Sequence, residues 1–341
     1  MRDERRAGCH GDAGVAMPLG EYVHARVQIA PGTSGPKAMA KQVIVRGTVC
    51  RSILNRSGIS DYSLNCYTGC THACVYCYAR YMQRFHPHQE PWGEFVDVKL
   101  NAVEALKRQL RRTPPGEVFV SSACDGWQPI EAERRLTRRC CELLLERGFT
   151  VNVLTKSALV LRDLDVLAGR VAGAKRSVPQ APEGGVAGAK QSVPQVPGAR
   201  VGVTVTTLDE TLAALWEPGA STVADRFRVI EEARRAGLRT GIMFGPLLPF
   251  LSDSQESIDA LLERAGDLGI DVIWVDALNR RPRVWPAVAR LLRERFPELH
   301  ERYQRLLFDK ETRATYLAEL GRRVARAAER LSLTDRVRSC G

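Results

Sequence analysis

Three cysteines in one short run are the residues best suited to chemistry. Cys70, Cys74 and Cys77 follow the spacing C-x3-C-x2-C. Thiolates favour iron–sulfur clusters or zinc over hard cations such as Mg²⁺. A [4Fe–4S] cube normally takes four cysteines, so three ligands on one loop would leave one iron open. A substrate or cofactor could bind at that open iron.

The same run allows a structural zinc site as the alternative. Cys66 would supply a fourth thiolate, and His72 could replace one of the sulfurs. Zinc sites usually consist of two separated pairs with C-x2-C or similar spacing. Here the cysteines between 66 and 77 are bunched, and no second pair follows at that spacing. The pattern favours the iron–sulfur cluster and leaves zinc as the second interpretation.

Cysteine usage also indicates the compartment. Ten cysteines lie in 341 residues, and a secreted disulfide framework would spread them more evenly along a smaller chain. Residues 1–15 contain no apolar run of the signal-peptide type. No stretch of the sequence approaches the ~20 apolar residues that a membrane span needs. We expect a cytoplasmic protein with reduced thiols and no membrane partner.

The formal net charge of +11 has two interpretations. It would suit a polyanionic partner such as DNA or another nucleic acid. However, much of the excess is arginine on amphipathic helical patterns, as at 290–295 and 322–326, where it would form a solvated face. Aromatic residues make up 6% of the chain, and no basic–aromatic stripe resembles a single-strand binding groove.

From residue 62 onward, apolar strand-like runs alternate with helix-like segments. The predicted strands are 62–65, 118–122, 150–154, 201–206, 239–244 and 272–275. The predicted helices lie near 76–85, 99–112, 131–147, 159–169, 222–236 and 254–268. Glycines 148, 237 and 269 stand where helices end before the next strand. About six such units predict an α/β fold, a partial (β/α)6 TIM-type barrel, with a doubly wound sheet as the alternative.

The barrel is expected over residues 41–283. Residues 1–40 are rich in Gly, Pro, Ala and charge and are predicted to form a disordered leader. Residues 284–341 are predicted as a C-terminal helical extension of two or three amphipathic helices. The ten residues from Val171 recur almost unchanged from Val186. We interpret 171–199 as a flexible duplicated insertion without a catalytic role.

The cysteine run, with Tyr76 before its last cysteine, resembles the radical SAM superfamily. Residues 64–80 as a whole resemble its spore photoproduct lyase-like branch, also described as DNA repair photolyase-related. Further matching segments are 125–131, 136–139, 155–157, 162–163, 217–219 and 246–249. Cys66 departs from the pattern, because this branch usually has proline there.

That resemblance implies a radical SAM enzyme of lyase-like type. The open iron would be bound by the amino and carboxylate groups of S-adenosylmethionine. Reductive cleavage would give a 5′-deoxyadenosyl radical that abstracts hydrogen from the substrate. The electron would come from a donor such as flavodoxin or ferredoxin. The substrate would be a nucleic-acid lesion or, as the alternative, a peptide or small molecule; a non-enzymatic zinc or nucleic-acid-binding protein is the third interpretation.

The resemblance also implies that the cofactor lies across the carboxyl ends of the strands. Polar residues at those ends would contact it, and glycine would let the backbone approach the adenine. These candidates are Ser121, Ser122, Asp125, Gln128, Glu131, Lys156, Ser157, Thr204, Thr206, Gly241 and Gly245. The structural alternative for each is a strand-end cap, a turn residue or a helix cap.

Hydrogen transfer needs a donor with a weak X–H bond. In spore photoproduct lyases a cysteine near the end of the second strand has this role, with tyrosines beside the cluster cysteines. Tyr76 and Tyr78 match those tyrosines, and Cys124 lies close to the donor cysteine's place. The alternative for Cys124 is a small buried hydrophobe.

Overall fold

The structure is a computed structural model that describes residues 25–28, 42–169, 198–281 and 283–340. Most of the predicted leader, and residues 171–197 of the predicted insertion, lie outside these ranges. The strands are β1 Ala25–Gln28, β2 Gln42–Thr48, β3 Leu54–Arg56, β4 Tyr62–Leu64, β5 Tyr67–Thr68, β6 Phe95–Lys99, β7 Glu117–Val120, β8 Thr150–Thr155, β9 Ala199–Val205, β10 Arg239–Leu247, β11 Val272–Ala277 and β12 Val337–Cys340.

Ten α-helices occur in the described ranges, with 3-10 helices at Tyr78–Arg84, Ala158–Asp163 and Pro297–Leu299. The α-helices are α1 Ala102–Gln109, α2 Glu131–Arg134, α3 Leu136–Glu146, α4 Leu164–Leu167, α5 Glu210–Trp216, α6 Val223–Arg235, α7 Gln255–Asp267, α8 Trp285–Arg295, α9 His300–Phe308 and α10 Lys310–Arg330. None of them is both long enough and apolar enough to span a bilayer.

The main sheet has eight strands in the order β12-β11-β10-β9-β8-β7-β4-β3. All neighbours are parallel except β3, which runs antiparallel to β4. The six parallel strands β4 and β7–β11 are the six that the sequence predicts. Within the described chain the edge strands β3 and β12 do not pair with each other, so the sheet stays open. The predicted partial barrel is confirmed.

The strands pack as the sequence pattern requires. Val118 and Val120 of β7, and Val151 and Val153 of β8, are buried, as are Val201, Val203 and Val205 of β9. Runs of β-branched residues are typical of parallel strands covered by helices. The glycines at 148, 237 and 269 end their helices with φ of +77°, +77° and +62°, as predicted.

A second sheet, in the order β1-β2-β6-β5, lies beside the first. Its strand β5 pairs antiparallel with β6 through Tyr67 and Thr68, just before the first loop cysteine. The sequence prediction contains no counterpart of this sheet. The pairing of β5 with β6 fixes the backbone just before the cysteine loop.

The C-terminal residues form helices α8–α10 and then the strand β12, which joins the main sheet beside β11. Helices α8 and α9 belong to a second apolar cluster that includes Trp216, Leu248, Val288 and Tyr303, whereas the buried residues of α10 belong to the main core. Cys74 and Tyr76 are part of the same cluster. Helices α8 and α9 therefore share their apolar cluster with the cysteine loop.

Candidate active site

The three cysteines lie on the loop between β5 and the 3-10 helix Tyr78–Arg84. Cys70 and Cys74 are buried, Cys77 is half-buried, and all three are free thiols. Two turns, closed by Ala73 N–H to Cys70 O and Cys77 N–H to Cys74 O at 3.2 Å each, space them along the loop. Burial raises the pKa of each thiol, and in Cys70 the nearby Cys74 and Cys77 add to this effect.

No three His, Cys, Asp or Glu side chains in the described ranges are grouped to hold one metal ion. The thiolates of a cube each bind a different iron, so they stand farther apart than those of a mononuclear site. The sulfurs of a cube accept hydrogen bonds. Surroundings that suit a cube should therefore offer N–H donors that have no other partner.

Unpaired N–H donors surround the loop. Arg80 Nε, Trp92 Nε1 and Trp216 Nε1 are buried and have no hydrogen-bond partner in the described part of the chain. Arg80 donates through Nη2 to Cys74 O at 3.1 Å, and Trp216 O accepts from Val75 N–H at 2.9 Å. A set of unused donors at one loop fits a group that brings acceptor sulfurs and negative charge. The residues present therefore fit the cluster.

Cys66 lies apart from this arrangement. Its Sγ lies 3.8 Å from Sγ of Cys140, a buried residue of α3. The contact directs Cys66 into the helix packing rather than toward the other loop cysteines. It has the environment of a core thiol.

Gln128 holds the backbone on both sides of Cys70. Its Nε2 donates to Gly69 O at 3.1 Å, and its Oε1 accepts from Thr71 N–H at 3.0 Å. The side chain is fully buried. Both ends of the amide are thus used to fix the loop.

Replacing Gln128 with leucine should remove the hydrogen bonds that fix the backbone on both sides of Cys70. The change leaves Gly69 O and Thr71 N–H without partners, which costs about 1–3 kcal/mol when such groups are buried. We expect reconstituted protein to lose iron to a chelator faster than the unaltered chain. Gln128→Glu keeps the acceptor for Thr71 but not the donor for Gly69, so it should be intermediate; equal chelation rates in all three proteins would contradict this role.

Asp125 joins two strand ends to the loop. It accepts from Thr155 Oγ1 at 2.7 Å and from Lys156 N–H at 2.8 Å, so it ties the β7 loop to the end of β8. Nδ1 of the buried His72 lies 3.4 Å from Asp125 Oδ2. Burial lowers the pKa of His72. The carboxylate is engaged by the protein on both oxygens.

A buried ion pair supports the other side of the loop. Glu217 and Arg226 contact at 2.5 Å, and neither is more than 2% exposed. Burial alone would raise the pKa of Glu217, but the charges of Arg226 and Lys156 bring it below its usual value. Glu217 also accepts from Thr206 Oγ1 at 2.7 Å and from the Tyr76 hydroxyl. Tyr76 is thereby fixed through its phenol.

Glycines allow close backbone packing around the loop. A Cβ on Gly219 would stand 2.1 Å from Thr71 O, and one on Gly93 would stand 2.4 Å from Ala73 Cβ. Gly219 N–H also donates to His72 O at 3.0 Å. Only glycine fits such approaches.

The predicted cofactor contacts fall into two groups. Most use their polar atoms within the protein: Ser121 Oγ accepts from Gly126 N–H, Ser122 Oγ from Asn65 Nδ2, and Ser157 Oγ from Leu159 N–H. Thr204 is buried, and its carbonyl oxygen accepts from Arg226. Glu131 binds the Tyr67 hydroxyl and the N–H groups of Leu136 and Arg138 at the start of α3.

Lys156 and the two glycines differ from that group. Lys156 Nζ lies 5.6 Å from the centre of the Tyr76 ring and makes no ion pair within 4 Å in the described ranges, although its charge acts on Glu217. Gly241 packs against the Trp274 ring and Gly245 against Asp276, both of β11. Among the strand-end candidates, Lys156 is the one with a charged group left for a ligand.

Cys124 and Tyr78 lie together near the loop. Cys124 is buried, and burial raises its pKa to about 12. Tyr78 follows Cys77, is 40% exposed, and donates its hydroxyl to Ser122 O.

Some residues around the loop are missing from the sequence prediction. It omits Trp92 and Arg226, and it includes Glu217 and Gly219 only within a matching segment. A side chain that supports a distant loop from the protein interior leaves no pattern in the sequence around it.

Comparison with known proteins gives relatives of this chain. No protein-family model matches it. The uncharacterized protein Rv2578c of Mycobacterium tuberculosis is 30% identical over 268 residues, 76% of this chain and 72% of that protein. The uncharacterized protein MJ0683 of Methanocaldococcus jannaschii is 28% identical over 194 residues, 57% of this chain and 63% of that protein. ORF301 of Acidianus two-tailed virus is 26% identical over 65% of this chain and 69% of that protein.

Solved structures give the fold. A spore photoproduct lyase mutant with bound AdoMet and dinucleoside spore photoproduct superposes with a TM-score of 0.57 at 16% identity, over 91% of this chain and 86% of that one. The lyase complexed with dinucleoside spore photoproduct gives the same TM-score at 15% identity. The chain therefore belongs to the family of the mycobacterial protein, and its fold is similar to that of spore photoproduct lyase.

Proposed function

We propose that this protein is a radical SAM enzyme whose [4Fe–4S] cluster is bound by Cys70, Cys74 and Cys77. When bound, the cluster supplies the electron that cleaves S-adenosylmethionine to the 5′-deoxyadenosyl radical, which abstracts hydrogen from the substrate. The observation that carries the proposal is the loop itself: three free thiols surrounded by buried, unpaired N–H donors. A cytoplasmic location and an electron donor such as flavodoxin or ferredoxin belong to the same proposal.

Residues of the chain would hold the cofactor and exclude water. Gln128 and Gly219 fix the backbone of the cysteine loop. Lys156, unpaired beside Tyr76, is the group we propose for the methionine carboxylate of S-adenosylmethionine. The remaining strand-end residues would shape the site mainly through the hydrogen bonds that they make within the protein.

For hydrogen transfer we propose Cys124 and Tyr78 rather than Tyr76. The Tyr76 hydroxyl is held by Glu217 and Thr206, and burial raises its pKa well above the usual range. Tyr78 is partly exposed beside Cys77. A thiol and a phenol close to the loop are both suitable hydrogen donors.

Nucleic acid is the substrate class we propose. The lyases of the same fold bind a dinucleoside photoproduct, and this chain carries a net charge of +11. One observation favours the alternative of a peptide or small molecule. Arg322, Arg323 and Arg326 all contact Glu319, so part of the excess charge lies in ion pairs on one helix face.

Reductive cleavage of S-adenosylmethionine is the experiment that tests the activity. Anaerobically reconstituted protein should bind about four irons per chain, the content of one cube. With dithionite and S-adenosylmethionine it should form 5′-deoxyadenosine, measured by chromatography, and form none without the reductant. A colourless protein that binds zinc and makes no 5′-deoxyadenosine would contradict the proposal and favour the zinc interpretation.

The substrate class needs a separate measurement. If DNA binds through phosphate contacts, its affinity should fall steeply with salt, because each contact releases counterions. A filter-binding titration of DNA across salt concentrations measures that slope. Absent or salt-independent binding would favour the peptide or small-molecule alternative.

A further inference from the structure

Three aromatic side chains are exposed on the 3-10 helix Tyr78–Arg84 and at its end. A 3-10 helix has three residues per turn, so Tyr78, Tyr81 and Arg84 lie in one row along it. Phe85 follows its last residue, and its ring meets that of Tyr81 edge to face at 6.5 Å. Tyr78 is 40% exposed, Tyr81 36% and Phe85 67%. Single exposed rings are ordinary, but rings grouped in this way mark a contact surface.

A guanidinium from a distant segment lies over these rings. Arg281 Cζ is 5.7 Å from the centre of the Tyr78 ring and 6.0 Å from that of Tyr81. Its backbone N–H donates to Asn279 Oδ1 at 2.9 Å, and its carbonyl oxygen accepts from Val284 N–H at 3.2 Å, so the loop that carries it is held. The sequence shows no basic–aromatic stripe, because the structure assembles this one from two segments about two hundred positions apart.

The positive charges of this surface are free to meet a ligand. Arg84, Arg280 and Arg281 are exposed, and none of them pairs with a carboxylate of another described residue within 4 Å. Arg323, in contrast, pairs with Glu319 on α10. Unpaired guanidinium groups beside flat rings suit a ligand that has both anionic groups and rings of its own. A nucleic-acid strand supplies phosphates and bases in that combination.

The opposite side of the same helix reaches the proposed reaction groups. Ala79 and Met82 form its inward row, where Ala79 is fully buried and Met82 packs against the main core. Met82 Sδ lies 3.8 Å from Cys124 Sγ, and Cys77 directly precedes the helix. A strand bound to the exposed rings would therefore lie one helix away from the proposed hydrogen donor and the proposed cluster ligands.

We propose that Tyr81, Phe85 and Arg281 bind an unpaired segment of the nucleic-acid substrate, with bases stacked on the two rings and a phosphate on the guanidinium. The inference rests on the proposed function and adds that the enzyme takes its substrate as a single strand. In a duplex the bases stack on one another and offer no free face to the rings. Stacking on aromatic side chains accepts any base, so this surface would hold the strand without selecting its sequence.

The rings are tested with a fluorescein-labelled oligothymidylate and with its duplex with oligodeoxyadenylate. Each is titrated with the iron-reconstituted full chain and followed by fluorescence anisotropy. We expect the single strand to bind more tightly than the duplex, and Tyr81→Ala and Phe85→Ala each to weaken single-strand binding about tenfold. Ile59→Ala is the matched control, since Ile59 is 69% exposed between β3 and β4, at the amino ends of the parallel strands. Its binding should match that of the unaltered protein.

Arg281→Gln tests the charge. It should weaken single-strand binding several-fold and reduce the slope of log affinity against log salt by about 0.7, the value for one phosphate of a single strand. Arg56→Gln is its control, because Arg56 Cζ lies 4.8 Å from the centre of the Tyr62 ring at the amino end of β4. This variant loses the same charge and should bind the strand like the unaltered protein.

Three results would overturn the inference: equal losses in the two arginine variants, single-strand binding that survives the loss of both rings, or no binding of the oligonucleotide by the unaltered protein. Formation of 5′-deoxyadenosine by the unaltered protein is measured separately. Its absence would overturn the proposed function, whereas its presence beside any of those three results would leave the radical chemistry standing without this surface.

Discussion

The triple variant Cys70→Ala, Cys74→Ala, Cys77→Ala will lose its iron and form no 5′-deoxyadenosine. The three thiols are the ligands that we propose, and each lies on the loop that Gln128 and Gly219 fix through hydrogen bonds to Gly69 and His72. Removing small buried side chains should leave the fold largely intact, which circular dichroism can check. Iron content after anaerobic reconstitution is the measurement.

Cys66→Ala and Cys141→Ala are the matched controls for that variant. Both cysteines are buried and free, and Cys66 contacts Cys140 rather than the loop cysteines. We expect both proteins to keep their iron. Full iron in the triple variant would refute the three-thiolate cluster, and loss of metal in Cys66→Ala would instead support a four-cysteine site.

The main sheet is predictable because its signal is local. Each of the six parallel strands is an apolar run, and a glycine ends the helix before three of them. The break in the predicted helix 131–147 is not predictable, since Arg135 adopts φ of +50° without being glycine. Helix α5, Glu210–Trp216, has no counterpart in the prediction either, because it is only seven residues long.

The pairing within the second sheet has no local signal. Its strand β5 has two residues, too short for a hydrophobic period, and it pairs with a strand about thirty positions later. Such pairings depend on tertiary contacts rather than on strand propensity. The flanking sheet therefore appears only in the structure.

The candidate site also contains some residues that the sequence predicts and others that it does not. Spacing alone singles out Cys70, Cys74 and Cys77, because metal ligands on a loop form a sequence pattern. The residues that support the loop come from distant segments: Gln128 lies 59 positions from Gly69, and Glu217 lies 141 positions from Tyr76. A buried glutamate or glutamine looks like a surface residue in sequence, so their positioning roles are not predictable.

Gly219→Ala is the second change for which we expect a large effect. The new Cβ would stand 2.1 Å from Thr71 O and 3.0 Å from His72 Cα, and both are backbone atoms of the cysteine loop. Because no flexible side chain can yield, either the loop or the segment that carries the substituted residue must move. We expect loss of most bound iron and a fall of about 1–3 kcal/mol in the free energy of unfolding, as in other overpacked sites.

Gly321→Ala separates this effect from the general cost of changing glycine. Gly321 lies inside α10, and a Cβ there would meet no heavy atom within 4 Å. Alanine is the better helix former by up to about 1 kcal/mol, so this variant should be more stable and keep its iron. Denaturant unfolding and iron assays on the two variants should therefore give opposite results. If Gly219→Ala reconstitutes with full iron and an unaltered EPR spectrum, the contact between Gly219 and the loop does not position the cysteines.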